Sequence, residues 1–87
     1  MDVIIPTFHN RYWLKRCLES FAENDFPEVN RVYVVDNGGD FDLWSYDLPL
    51  HVLTPGKNLG WTGGLHYALK HSDAPLVMVM NDDAEFE

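Results

Sequence analysis

The sequence is nearly devoid of cysteine. Cys17 stands alone, so no intrachain disulfide can form and no cysteine-based zinc site can be assembled. A reducing compartment is compatible with that usage. Basic residues are also scarce, with six Lys and Arg against fourteen Asp and Glu for a formal net charge of -8. A broad nucleic-acid or anionic-membrane surface needs a basic face, so both classes of partner are disfavoured. No apolar run approaches the ~20 residues of a membrane span. Met1 is followed almost at once by Val3-Ile4-Ile5, without a basic leader or a long apolar core, so no signal peptide is expected in this stretch. The expectation is a soluble, cytoplasmic chain with no transmembrane segment and no nucleic-acid partner. The four histidines, His9, His51, His66 and His71, lack ligand spacing and receive no metal role. With no internal repeat or linker, the 87 residues are read as one small domain.

What is present is a series of short apolar runs, each ending in polar residues. Val3-Ile4-Ile5 is β-branched and stops at Pro6-Thr7, which predicts a first strand. Asn10 is a suitable N-cap, and Leu14, Cys17, Leu18 and Phe21 follow at the spacing of an amphipathic helix running to about Glu23. Val32-Tyr33-Val34-Val35 forms a second strand ending at Asp36-Asn37-Gly38-Gly39. A strand, helix, strand order implies a right-handed parallel crossover. The carboxyl ends of both strands then open on one edge, where ligands of open α/β sheets bind. Residues 40 to 46 are acidic and aromatic and fit either a short helix or a turn. His51-Val52-Leu53-Thr54 is a third strand, closed by Pro55-Gly56.

Leu76-Val77-Met78-Val79-Met80 has no polar face, so it reads as a strand buried on both sides. It runs straight into Asn81-Asp82-Asp83. Two adjacent carboxylates repel each other unless a cation intervenes, and hard oxygen ligands at a sheet edge suit Mg2+ or Mn2+ bridging to a phosphate. A solvated acidic turn is the plainer alternative. Between the third and fourth strands, Lys57-Asn58-Leu59-Gly60-Trp61-Thr62-Gly63-Gly64 leads into Leu65, Ala68 and Leu69 at helical spacing. The glycines either let backbone N–H groups approach an anionic ligand ahead of a helix N-terminus, or let helix and strand pack closely. They match neither G-x-G-x-x-G nor a Walker A loop. Arg11 at the helix start and Trp61 in the glycine segment are secondary candidates for ligand contact.

In this order the four strand ends resemble the nucleotide-binding half of family 2 glycosyltransferases. Val3-Ile4-Ile5-Pro6-Thr7-Phe8 with Asn10-Arg11 is similar to the family's opening strand and loop. Val34-Val35-Asp36-Asn37-Gly38 is similar to its second strand. Asn58-Leu59-Gly60-Trp61-Thr62-Gly63-Gly64 resembles the segment of the branch that includes rhamnosyl- and galactofuranosyltransferases, and Asn81-Asp82-Asp83 takes the place of the Asp-X-Asp motif. The chain departs from the pattern at Asn81, an amide in place of a carboxylate, and at His66 and Ala68, where the branch often has Asn and Gly.

The resemblance implies a Rossmann-like α/β domain of GT-A type, with a mainly parallel four-stranded sheet and helices on both faces. It implies a UDP- or dTDP-sugar donor. Pro6, Thr7 and Asp36 would hold the base, Lys57 the diphosphate and Asp82 the ribose or diphosphate, with Mg2+ or Mn2+ on Asp83. It further implies that the acceptor-binding half and the catalytic base lie beyond residue 87, in more of the same chain or in a second chain, so that this stretch alone is inactive. A non-catalytic nucleotide-binding or scaffold module keeping the same fold is the alternative. A phosphoacceptor receiver domain fits poorly, because its acidic pair should follow the first strand, where this chain has Pro6-Thr7.

Overall fold

A computed structural model describes residues 1–24, 27–39 and 49–84. The elements run β1 (Asp2–Thr7), α1 (Arg11–Glu23), β2 (Arg31–Asp36), β3 (Leu50–Leu53), α2 (Gly60–Leu69) and β4 (Val77–Val79). The four strands form one sheet in the order β3-β2-β1-β4, and each of the three pairings is parallel. This is the α/β architecture expected from the strand and helix patterns. The helix or turn read over residues 40 to 46 lies outside the described residues.

The core is split by the sheet into two layers. On one face Val3, Ile5, Val32, Val34 and Met80 meet Leu14, Cys17, Leu18 and Phe21 of α1. These four α1 residues are the apolar stripe seen in the sequence, and all are buried. On the other face Ile4, Tyr33 and Val35 meet Ala68 of α2. Alternation along β1 and β2 supplies both layers at once, which is why these central strands read as unbroken apolar runs. Burying side chains of this size contributes ~1.5–3 kcal/mol each.

Pro6-Thr7, the expected stop, lies inside β1, and Pro6 pairs with Val35. The register explains how a central strand accepts it. Asp2 N–H donates to Leu76 O, and Ile4 O accepts from Met80 N–H, so alternate residues of β1 face β4. Pro6 continues that series on the β4 side, where pairing has already ended at Ile4 opposite Val79. Its missing N–H therefore removes no ladder bond.

Two expectations are corrected. The run 76–80 is not a strand buried on both sides. β4 covers only Val77–Val79, pairs only with β1 among the described strands, and is half-buried, while Leu76 is 68% exposed. The glycine segment is not a loop ahead of a helix, because α2 starts at Gly60 and takes Gly63 and Gly64 into its first turns. Gly60 adopts φ 70, a conformation that side chains disfavour. A Cβ on Gly64 would lie 3.3 Å from Pro6 Cβ and 3.4 Å from Asn37 Nδ2, so here the close-packing alternative holds. Among the described residues no helix is long and apolar enough to cross a membrane.

Candidate functional site

The carboxyl ends of β1, β2 and β4 and the start of α2 surround one crevice of about 440 Å3. Pro6, Thr7, Phe8 and Asn10 line it from the end of β1, and Asn37 from the end of β2. Asn58, Gly60 and Trp61 form the wall at the start of α2, while Asn81, Asp82 and Asp83 close it beyond β4. A parallel sheet places all its strand ends on one edge, so residues more than seventy positions apart become neighbours here.

Thr7 is buried, and its hydroxyl donates to Asp82 Oδ2 at 2.8 Å. This bond ties the end of β1 to the acidic turn and orients one carboxylate. Asp83 is exposed beside it. The turn is closed by Ala84 N–H donating to Asn81 O at 3.2 Å, and the buried Cys17 thiol lies 3.9 Å from the same carbonyl. The turn thus rests on α1 as well as on β1.

Asn37 was not singled out from the sequence, yet it is the most fully engaged polar side chain of the crevice. Its Oδ1 accepts from Leu59 N–H at 3.1 Å, and its Nδ2 donates to Gly60 O at 3.3 Å. Asn58 Oδ1 accepts from Gly60 N–H at 2.9 Å. Side chains therefore already occupy the N–H groups of Leu59 and Gly60, which narrows the anion-binding capacity expected of this helix start. The signal for Asn37 was its place directly after a strand-end Asp, and Phe8 and Asn58 carried a similar positional signal.

The other expected residues divide. Pro6, Thr7, Asp82 and Asp83 come together in the crevice. Asp36 and Lys57 are not among its lining residues. Asp36 is buried, with Oδ1 accepting from Gly39 N–H at 3.0 Å to hold the turn after β2, and Lys57 is exposed. Asn10 occupies the cap position of α1, but its side chain makes no cap hydrogen bond. Asn10 O instead accepts from Leu14 N–H, and the residue faces the crevice. His9 before it has φ 50, and its ring lies 4.1 Å from that of Phe8 between centroids. Trp61, 46% exposed, lines the crevice as the sequence suggested. His66 is exposed, and Ala68 packs against the sheet.

The oxygens present suit a divalent ion of one kind. Among the described residues no three His, Cys, Asp or Glu side chains cluster tightly enough to hold a metal by themselves. Asp82 and Asp83 offer two adjacent carboxylates at an open crevice. Mg2+ commonly binds through one or two carboxylates, with substrate phosphates and water completing its shell. The donor set thus fits an ion arriving with a phosphate ligand and does not fit a preformed cage.

Fold and crevice together define an open parallel α/β domain with a polar site at the carboxyl ends of its strands, and comparison with known proteins makes this specific. The model of glycosyl transferase family 2 matches residues 2–87, and the chain belongs to that family. An N-acetylglucosaminyltransferase of Sinorhizobium fredii is 29% identical over 92 residues, covering 95% of this chain and 22% of the relative. One of Bradyrhizobium diazoefficiens is also 29% identical, covering 95% of this chain and 19% of the relative. The chain therefore spans about a fifth of the length of these curated relatives. Among solved structures, S. aureus TarS superposes with a TM-score of 0.72 at 29% identity, covering 94% of this chain and 16% of that one. The mannosyltransferase PcManGT of Pyrobaculum calidifontis, solved in complex with GDP-Man and Mn2+, gives 0.79 at 24% identity, covering 98% of this chain and 28% of that one. The sheet and helices are those of the GT-A fold.

Proposed function

We propose that the crevice binds the nucleoside diphosphate of a sugar donor, a UDP- or dTDP-sugar, together with Mg2+ or Mn2+, for transfer of the sugar to an acceptor. The observation that carries this reading is the convergence of Thr7, Asn37, Asp82 and Asp83 at the carboxyl edge of a parallel sheet. Pro6 and Thr7 form the floor for the nucleoside, Asp82 approaches the ribose or diphosphate, and Asp83 is the metal ligand. Asp36 and Lys57 belong to the nucleotide-binding set in this reading. Asp36 acts on the base through the turn it holds, and Lys57 meets the diphosphate from the exposed side. A divalent ion, when bound, neutralises charge that develops on the leaving diphosphate.

Within the family, the segment Asn58 to Gly64 supports placement near the rhamnosyl- and galactofuranosyltransferase branch. The names of the relatives make N-acetylglucosamine a sugar to test, here as its UDP derivative, and the GDP-Man of the neighbouring structure supplies the purine contrast. Acceptor binding and the base that deprotonates an acceptor hydroxyl are supplied, in this proposal, outside residues 1–87. The chain by itself thus binds donor without transferring sugar.

The test is a chemical-shift titration with UDP, dTDP, UDP-N-acetylglucosamine and GDP-mannose, with and without Mg2+. An open crevice leaves the ligand partly solvated, so affinity on the order of millimolar is expected. Shifts should concentrate at Thr7, Asn37, Trp61 and Asp82 and should strengthen with Mg2+ for the pyrimidine nucleotides. Shifts absent from these residues at saturating ligand would support a scaffold module instead.

A further inference from the structure

We propose that Asn37 is a positioning residue that couples the acidic turn to the α2 wall of the crevice. The proposal rests on the donor-site reading and adds to it a residue that acts through the groups it holds.

The contacts form a continuous belt. Asp82 Oδ2 accepts from the Thr7 hydroxyl at 2.8 Å. Thr7 O accepts from Asn37 N–H at 2.9 Å. The Asn37 carboxamide then accepts from Leu59 N–H and donates to Gly60 O, at 3.1 and 3.3 Å. Four hydrogen bonds thus cross the crevice from β4 through β1 and β2 to α2. Asn37 is the one link with two side-chain bonds of opposite sense. It is 7% exposed, so little water is at hand to replace a lost partner, and a buried group left unsatisfied is costly.

The surroundings hold Asn37 in place. Its backbone is fixed to β1, and beneath the carboxamide Gly64 brings α2 close enough that an added Cβ would touch Asn37 Nδ2 at 3.4 Å. Gly60, the residue whose carbonyl is held, has φ 70 and is followed by Trp61, which lines the crevice. Fixing Gly60 therefore fixes where the indole begins. Side chains lacking either a donor or an acceptor cannot make both bonds. A neutral carboxyl group can, whereas a carboxylate has only acceptors to set against the Gly60 carbonyl.

That difference supplies the test. Asn37→Asp and Asn37→Leu are compared with wild type by amide and indole NMR, first without ligand and then with UDP and Mg2+, between about pH 7.5 and pH 5. At the upper pH, Asn37→Asp should move the Gly60 amide and Trp61 indole signals and weaken UDP binding about tenfold. Burial raises the pKa of the introduced carboxyl. As it protonates, both signals should return toward wild type, and the affinity ratio to wild type at the same pH should approach one. Asn37→Leu should show the defect with no recovery on acidification, and its full amide spectrum reports whether it folds. Unmoved Gly60 and Trp61 signals in Asn37→Asp, or a defect of equal size at both ends of the pH range, would overturn the proposal. If wild type itself fails to bind UDP, the donor reading fails, and the ligand-free spectra still decide whether Asn37 positions the wall.

Discussion

Thr7 shows what a single hydroxyl does at this site. It is 6% exposed and donates to a carboxylate 75 positions away in the sequence. Thr7→Val keeps the shape of the side chain and removes the donor, leaving Asp82 oriented only by water. We expect a loss of about 1 kcal/mol in urea denaturation, the modest value of a bond to a half-buried carboxylate, and a several-fold weaker response to UDP with Mg2+. Thr7→Ser should restore most of both. Gly64 gives a second residue-scale prediction. Gly→Ala inside a helix ordinarily gains about 1 kcal/mol, but here the new methyl would press on Pro6 Cβ at 3.3 Å, closer than ordinary van der Waals contact. Pro6 is held by its pairing with Val35 in the sheet and must shift by a few tenths of an ångström to make room, so Gly64→Ala should lower the unfolding midpoint and not raise it. Thr7 was legible in the sequence as a strand-end residue. That it shares a crevice with Asp82 was legible too, but the bond between them was not, because only the β1–β4 pairing makes Asp82 its neighbour.

At the level of elements, α1 illustrates how far periodicity reaches. Leu14, Cys17, Leu18 and Phe21 were legible as one stripe, and they are the four buried residues of that helix. Phe21 is 1% exposed, and Phe21→Ala should cost ~3–5 kcal/mol. A domain of this size has roughly 5–10 kcal/mol in all, so that variant should lose about half of its stability and melt at a clearly lower temperature by circular dichroism. Leu76, apolar but 68% exposed at the head of β4, marks the opposite case. Leu76→Lys should change stability by less than about 0.5 kcal/mol. It should also reduce concentration-dependent association measured by light scattering, because a charge beside an edge strand discourages pairing with other chains. The apolar run at 76–80 suggested a fully buried strand because composition reports what a strand can bury and not which neighbours it has. The glycine segment left two readings open for a related reason. Glycine permits both an open loop and a close helix contact, and only the approach of Pro6 and Asn37 to Gly64 chooses between them.

Over the whole molecule, the formal charge of -8 sets the conditions under which the crevice can work. A nucleoside diphosphate carries the same sign as the protein and as the Asp82–Asp83 pair it must approach. Binding without a divalent cation should therefore be weak, and it should improve slightly when monovalent salt screens the repulsion. A divalent cation held by these carboxylates would offset their two negative charges and supply the positive charge that a diphosphate needs there. In the proposed function Asp83 brings a divalent ion to a diphosphate in this crevice. Its most direct test is paramagnetic line broadening by substoichiometric Mn2+ in the presence of UDP, on wild type and on Asp83→Ala. Amide signals of Thr7 and of Asn81 through Ala84 should broaden first in wild type, while those of β3 and the end of α1 stay sharp. This selectivity should disappear in Asp83→Ala. Broadening centred elsewhere, or selective broadening at Thr7 and Asn81 that persists unchanged in Asp83→Ala, would contradict it.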